Sequence, residues 1–136
     1  MENDGEMGQT MAETRLNPTI EVINSDELLA RCMGSVDLAS HVLAKFLDRV
    51  PEDLDQLEKD LVASDRDAII DMAHRIKGAS ASVAAPQLHE WAAEIERLGR
   101  DNRMAEIPSG IRQLRDEWSR FTKSVETLEW NQPNVS

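Results

Sequence analysis

Between Ser35 and Ala63 the apolar residues Leu43, Phe46, Leu47, Val50, Leu54, Leu57 and Leu61 recur at steps of three, one, three, four, three and four. That spacing keeps them on one face of a helix. It predicts a long amphipathic helix, with Pro51 inside it either kinking it or breaking it into two. Ahead of it, Ser25 is placed to cap a first short helix carrying Leu28, Leu29 and Cys32. Gly34 is placed to end that helix as the residue just past its C-cap. The pair Ser64-Asp65 signals a new start, and a third helix follows from about Arg66 to Val83; Pro86 then opens a fourth that runs to Gly99. The last helix, entered near Pro108 and Ser109, repeats Ile111, Leu114, Trp118, Phe121, Val125 and Leu128 at alternating steps of three and four. This is a coiled-coil-like seam. Four long amphipathic segments joined by connections of a few residues predict an all-α fold. The expected architecture is an antiparallel four-helix bundle, up-down-up-down, with the short additional N-terminal helix covering one end.

Outside these segments the pattern fades. Residues 1–18 carry Gly5, Gly8, Pro18 and four acidic residues without periodic apolar positions, too little burial to offset the entropy of ordering them. A short extended stretch over residues 19–23 leads into the first helix. The expected organisation is a flexible leader at 1–18, one helical domain at 19–130 and a flexible tail at 131–136.

Composition sharpens this picture. With 40% hydrophobic and 30% charged residues over 136 positions, the chain has the make-up of one soluble domain, and its low aromatic content of 4% favours helices over sheets. It carries 15 Lys+Arg against 26 Asp+Glu, a net charge of −11, which repels polyanions and argues against a nucleic-acid or anionic-membrane partner. No apolar run approaches the roughly 20 residues that a membrane-spanning helix needs. A lone cysteine, Cys32, and an acidic opening segment point to a reducing, cytoplasmic setting, with a monomer as the expected state.

Candidate chemistry rests on where the three histidines face. A helix turns about 100° per residue, and the core stripe Ile69, Met72, Ala73, Ile76, Ser80 and Val83 stays within roughly 60° of the bearing of Ile69. His74 then lies at roughly 140°, on the outward side. Ile70 and Ala81 fall near 100° and 120°, so the histidine is expected to be flanked by small or apolar residues that the helix leaves uncovered, with Lys77 and Gly78 one turn further along. An uncovered apolar patch around a histidine suggests a docking surface, although a single surface histidine is ordinarily just solvated. Neither His41 nor His89 has a partner three or four residues further on that could complete a metal site, and no inward-facing Glu-x-x-His pairs occur, so no metal site is expected.

The string AHRIKGASASVAAPQLHEWAAEIERLGR, residues 73–100, resembles the signature of histidine-containing phosphotransfer (HPt) domains, whose motif is His-x-x-Lys-Gly inside an antiparallel four-helix bundle. The upstream run FLDRVPEDLDQLEKDLVASDRDAIIDMAHRIKG, residues 46–78, is similar to the family's long helix, acidic connection and histidine helix, so the resemblance covers about residues 25 to 128. It implies that His74 is the phosphoryl acceptor, Lys77 the neighbouring cation and Gly78 the small residue that lets a partner approach. Chemistry fits each role: a neutral imidazole offers one ring nitrogen as nucleophile, a lysine one turn away can meet the transferring charge, and a missing Cβ removes a clash. Glu96 lies at roughly 80° from the stripe Leu88, Trp91, Ala92 and Ile95, so it either leans toward the histidine helix or stays solvated. In some relatives a glutamate at the corresponding place hydrogen-bonds the non-attacking ring nitrogen. Arg75, Arg97 and Arg100 are expected to supplement the charge around the phosphoryl group. Many family members carry a second glycine ten residues after the histidine, and Ala84 stands there instead, which bears on how the histidine helix ends.

The expectation is therefore a phosphorelay carrier. His74 takes a phosphoryl group from an aspartyl-phosphate receiver domain or a histidine kinase and passes it to a response-regulator aspartate. The implied partners are response-regulator receiver domains and a sensor or hybrid histidine kinase. No Gly-rich nucleotide loop is visible, so the chain is expected to act without ATP or any cofactor of its own. The competing readings are a helical docking module that binds a receiver without being phosphorylated, and a helical adaptor unrelated to phosphotransfer.

Overall fold

A computed structural model describes residues 22–128. The leader at 1–18, most of the extended stretch and the tail at 131–136 lie outside the described residues. Among the described residues five α-helices follow one another: α1 (Ser25–Arg31), α2 (Val36–Val62), α3 (Arg66–Ser82), α4 (Pro86–Arg100) and α5 (Ile107–Glu126), with a 3₁₀ turn at Met104–Glu106 before the last. Helices α2 to α5 pack as a ring, each against its sequence neighbour and α2 against α5, with α3 and α4 in the most extensive contact.

Local chemistry sets the ends. Asn24, Ser35 and Asp65 each accept a hydrogen bond from the backbone N–H three residues on, starting α1, α2 and α3. The cap of α1 is thus Asn24 and not Ser25, which is already helical. The first four helices end alike. Met33, Ser64, Ala84 and Asn102 take positive φ of 53–59°. The following N–H reaches back to a carbonyl of the last turn at 2.7–2.9 Å, as Gly34 does to Leu29 and Ala85 to Ser80. Gly34, expected as the left-handed residue just past the C-cap of α1, sits one place later; Met33 takes that role. Ala84, where the resemblance led a glycine to be expected, still adopts the left-handed turn, so α3 ends as α1, α2 and α4 do.

Pro51 neither divides nor ends α2, which runs through it for 27 residues. Leu43, Phe46 and Val50 before the proline and Leu54 and Leu57 after it are all buried. Continuous burial on both sides, at about 1.5–3 kcal/mol per side chain, outweighs the one backbone hydrogen bond the ring removes. The core joins Leu43, Leu54 and Leu57 of α2 with Ile69 and Ile76 of α3, Leu88 and Ile95 of α4, and Leu114 and Phe121 of α5. Phe46, Trp118 and Phe121 form a ring cluster with centroids 5.3–5.6 Å apart. Across the open edge of the ring, Arg115 pairs with Glu58 and, at 3.0 Å, with Asp55. Helix α1 covers one end, where Asn24 N–H donates to the Ala84 carbonyl at 2.8 Å and Arg31 donates to the carbonyl of Ala81.

Candidate functional site

The α3 stripe faces the core as its bearings require: Ile69, Ala73, Ile76, Ser80 and Val83 are buried and Met72 is half-buried. His74 therefore points out, with its side chain 65% exposed. Its immediate surroundings differ from expectation in one respect. Ile70 is not an uncovered apolar neighbour; it is 8% exposed, because α4 lies over it at Gly99. A bearing near 100° leaves the α3 stripe but meets the adjacent helix. Ala81 is half-buried, and Gly78 is exposed with nothing within 4 Å of where a Cβ would stand.

Glu96 of α4 leans over to α3. It is 5% exposed and organises the site. Its Oε2 lies 3.0 Å from Nδ1 of His74 and accepts from Nη2 of Arg100 at 2.7 Å and from its Nε at 3.3 Å. Its Oε1 lies 2.8 Å from Nζ of Lys77. Burial alone pushes this carboxyl toward its neutral form, but the hydrogen bonds from Lys77, Arg100 and His74 overcome it and hold the pKa at about 2. An ionised carboxylate only accepts, so Nδ1 of His74 carries the proton that meets it. In the neutral ring Nε2 is then left with its lone pair, on an imidazole that is mostly in water.

The remaining expected charges divide. Arg100 joins the Glu96 cluster. Arg97 is bonded instead to Glu94 at 2.6 Å and Asp101 at 3.2 Å on its own helix. Arg75 reaches toward Asp53 of α2 at 4.0 Å. Asp53 is itself buried, also faces Arg49 at 3.6 Å, and burial raises its pKa despite that arginine.

Sequence reasoning missed Arg66 and Asp53 around the site, and Glu117 buried in α5 away from it. Arg66 donates from Nε to the Gly99 carbonyl at 2.7 Å and from Nη2 to the Arg100 carbonyl at 3.2 Å, tying the start of α3 to the end of α4. Nothing in the sequence signals that. Asp53 and Glu117 do carry a signal, since each is an acid standing on an otherwise apolar helix face. Among the described residues no group of three or more His, Cys, Asp or Glu side chains could hold a metal ion, and no helix is long and apolar enough to cross a membrane.

Comparison with known proteins identifies the family of the fold. The Hpt domain family model matches residues 41–123. Over 79 residues the chain is 32% identical to the sensor histidine kinase GacS of Pseudomonas protegens, a stretch amounting to 58% of this chain and 9% of that protein. The chain thus spans less than a tenth of that relative's length. Its fold is similar to the crystal structure of the HPT domain from a sensor hybrid histidine kinase of Shewanella. The TM-score is 0.67 at 22% identity, covering 79% of this chain and 97% of that one. The chain belongs to the Hpt domain family. Hpt domains are phosphocarrier modules of phosphorelays, and phosphorelay phosphotransfer is the function this membership carries.

Proposed function

We propose that His74 is the phosphoryl acceptor of this carrier and that Nε2 is the attacking atom. The observation that carries the reading is an exposed imidazole whose other nitrogen is fixed on an ionised, buried carboxylate. The Nε2 lone pair attacks phosphorus of an aspartyl phosphate, the P–O bond to the acyl group breaks, and the aspartate leaves as carboxylate. Positive charge builds on the ring during attack, and Glu96, 3.0 Å from Nδ1, opposes it. Lys77 and Arg100 wait on Glu96, and their mobile side chains meet the phosphoryl oxygens once these arrive. The same steps in reverse deliver the group to a response-regulator aspartate.

The donors and acceptors on this reading are response-regulator receiver domains and a sensor or hybrid histidine kinase, meeting a monomeric, cytoplasmic carrier that has no ATP site of its own. The open surface at Gly78 admits the partner, Ala81 lies further along the same helix, and Arg75 and Arg97 stand at the rim. Ile70, buried under Gly99, stays out of the docking surface.

Incubation with a phosphorylated receiver domain tests the proposal. The expected result is an acid-labile, alkali-stable label on this protein that disappears in His74→Gln, while circular dichroism shows the helices intact. Label persisting in that variant assigns the acceptor elsewhere and sinks the reading.

A further inference from the structure

We propose that Gly99, assisted by Arg66, is a positioning residue that sets the distance between α3 and α4 at which Glu96 can hold the His74 ring; the inference rests on the carrier reading of the site. A Cβ on Gly99 would stand 2.7 Å from Cγ1 of Ile70, 3.5 Å from its Cδ1 and 4.0 Å from its Cβ. Tolerable contacts begin near 3.4 Å, so a side chain there requires the helices to part by about 0.7 Å or Ile70 to leave its rotamer. Ile70 is buried, and its Cγ1 is attached directly to Cβ, so it has little room to give.

The place of this contact gives it a consequence. Ile70 and His74 are four residues apart on α3, and Gly99 and Glu96 are three apart on α4, so each pair shares a helix face. The two helices are antiparallel, which stacks the Ile70–Gly99 contact one turn from the His74–Glu96 contact. On the other side of Gly99, Arg66 fastens the carbonyls of Gly99 and Arg100 to the first turn of α3, satisfying acceptors that a helix end leaves open. The close approach at Gly99 therefore lies between a clamp and the catalytic pair. Parting the helices by about 0.7 Å there takes the 3.0 Å contact of His74 Nδ1 with Glu96 beyond 3.5 Å, where the hydrogen bond is lost. Without it the ring has no partner fixing which nitrogen bears the proton.

The test is Gly99→Ala in protein labelled with ¹⁵N, with the His74 ring nitrogens followed in long-range ¹H–¹⁵N spectra beside the thermal midpoint and the transfer rate. The expected result is loss of the Nδ1–H preference and transfer slowed about tenfold. The double variant Gly99→Ala/Ile70→Ala, which makes room for the new methyl, regains the ring signals and the rate. Gly110→Ala places a Cβ 3.0 Å from Ile95 on the α4–α5 seam, and it is expected to lower the midpoint without moving the His74 signals. A folded Gly99→Ala protein with wild-type ring signals and rate overturns the proposal, and so does a Gly110→Ala protein whose ring signals move as far. Should Gly99→Ala not fold, Arg66→Gln decides: it shifts the ring signals in the same direction, or the proposal fails. If the wild-type protein takes no phosphoryl label while its ring still responds to Gly99→Ala, the carrier reading fails and the positioning role stands.

Discussion

Replacing Glu96 by glutamine removes a charge while leaving the shape of the side chain nearly unchanged. In the native site the carboxylate accepts from His74, Lys77 and Arg100. The amide that replaces it turns an NH₂ group toward donors. The folded pKa of about 2, against 4.5 for an ordinary glutamate, corresponds to about 3 kcal/mol of stabilisation of the ionised form. The covering side chains of His74 and Arg100 are themselves 65% and 59% exposed, so water screens the cluster and about 1–2 kcal/mol is the figure to expect in practice. Because the folded pKa lies below the unfolded one, this stability is present in full above about pH 4.5 and fades as the pH falls toward 2. By pH 3 more than about half of it is gone. Urea unfolding of wild type and Glu96→Gln at several pH values between 3 and 7 isolates the effect, since every other carboxylate titrates in both proteins. The expected difference is about 1–2 kcal/mol at pH 7 and under half of that at pH 3. A difference that stays constant across the range, or is absent at pH 7, refutes the claim that Glu96 is held ionised by its three partners.

Other substitutions probe the same physics elsewhere. Glu117 is 2% exposed, its Oε2 finds no hydrogen-bond partner among the described residues, and burial raises its pKa despite Arg120 at 3.6 Å. Its folded pKa lies above the unfolded one, so it costs stability at neutral pH and that cost shrinks on acidification; Glu117→Met is expected to stabilise the fold by about 1 kcal/mol in urea unfolding at pH 7. Ser64 holds φ +53° on an exposed turn, and Ser64→Gly should gain about 0.5 kcal/mol as left-handed strain is relieved and part of that gain is returned to the unfolded chain's entropy. Ala84→Gly relieves the same strain but gives up a buried methyl, so its thermal midpoint should hardly move. Lys77→Ala is expected to slow phosphotransfer about tenfold, measured in single-turnover mixing with a phosphorylated receiver; an unchanged rate removes Lys77 from the mechanism.

The helices and the outward face of His74 were legible in the sequence because both follow from a single periodicity. Steps of three and four in α2 and α5 name the buried face, and the same rotation carries His74 away from the α3 stripe without reference to any other helix. Apart from a one-residue shift at each end of α1, what eluded the pattern involved a second helix. Ile70 leaves its own stripe and yet is buried, since Gly99 brings α4 down over it. Ala84 stands where the resemblance led a glycine to be expected, and it turns left-handed because the preceding helix and the following one dictate the chain path.

The amino-acid order by itself determined the helices to within a residue or two at their ends, the face each buries, and that a histidine, a lysine and a glycine share the side of one of them that turns from the core. These are local consequences of backbone geometry and water's exclusion of apolar groups. Only the tertiary structure decided that Glu96, twenty-two residues beyond His74, meets its ring. It also sent Arg100 to that carboxylate and Arg97 to Glu94 and Asp101. Such pairings depend on interhelical spacing to within a few tenths of an ångström, and that spacing is fixed by side chains from two helices meeting, which no periodicity along one of them encodes.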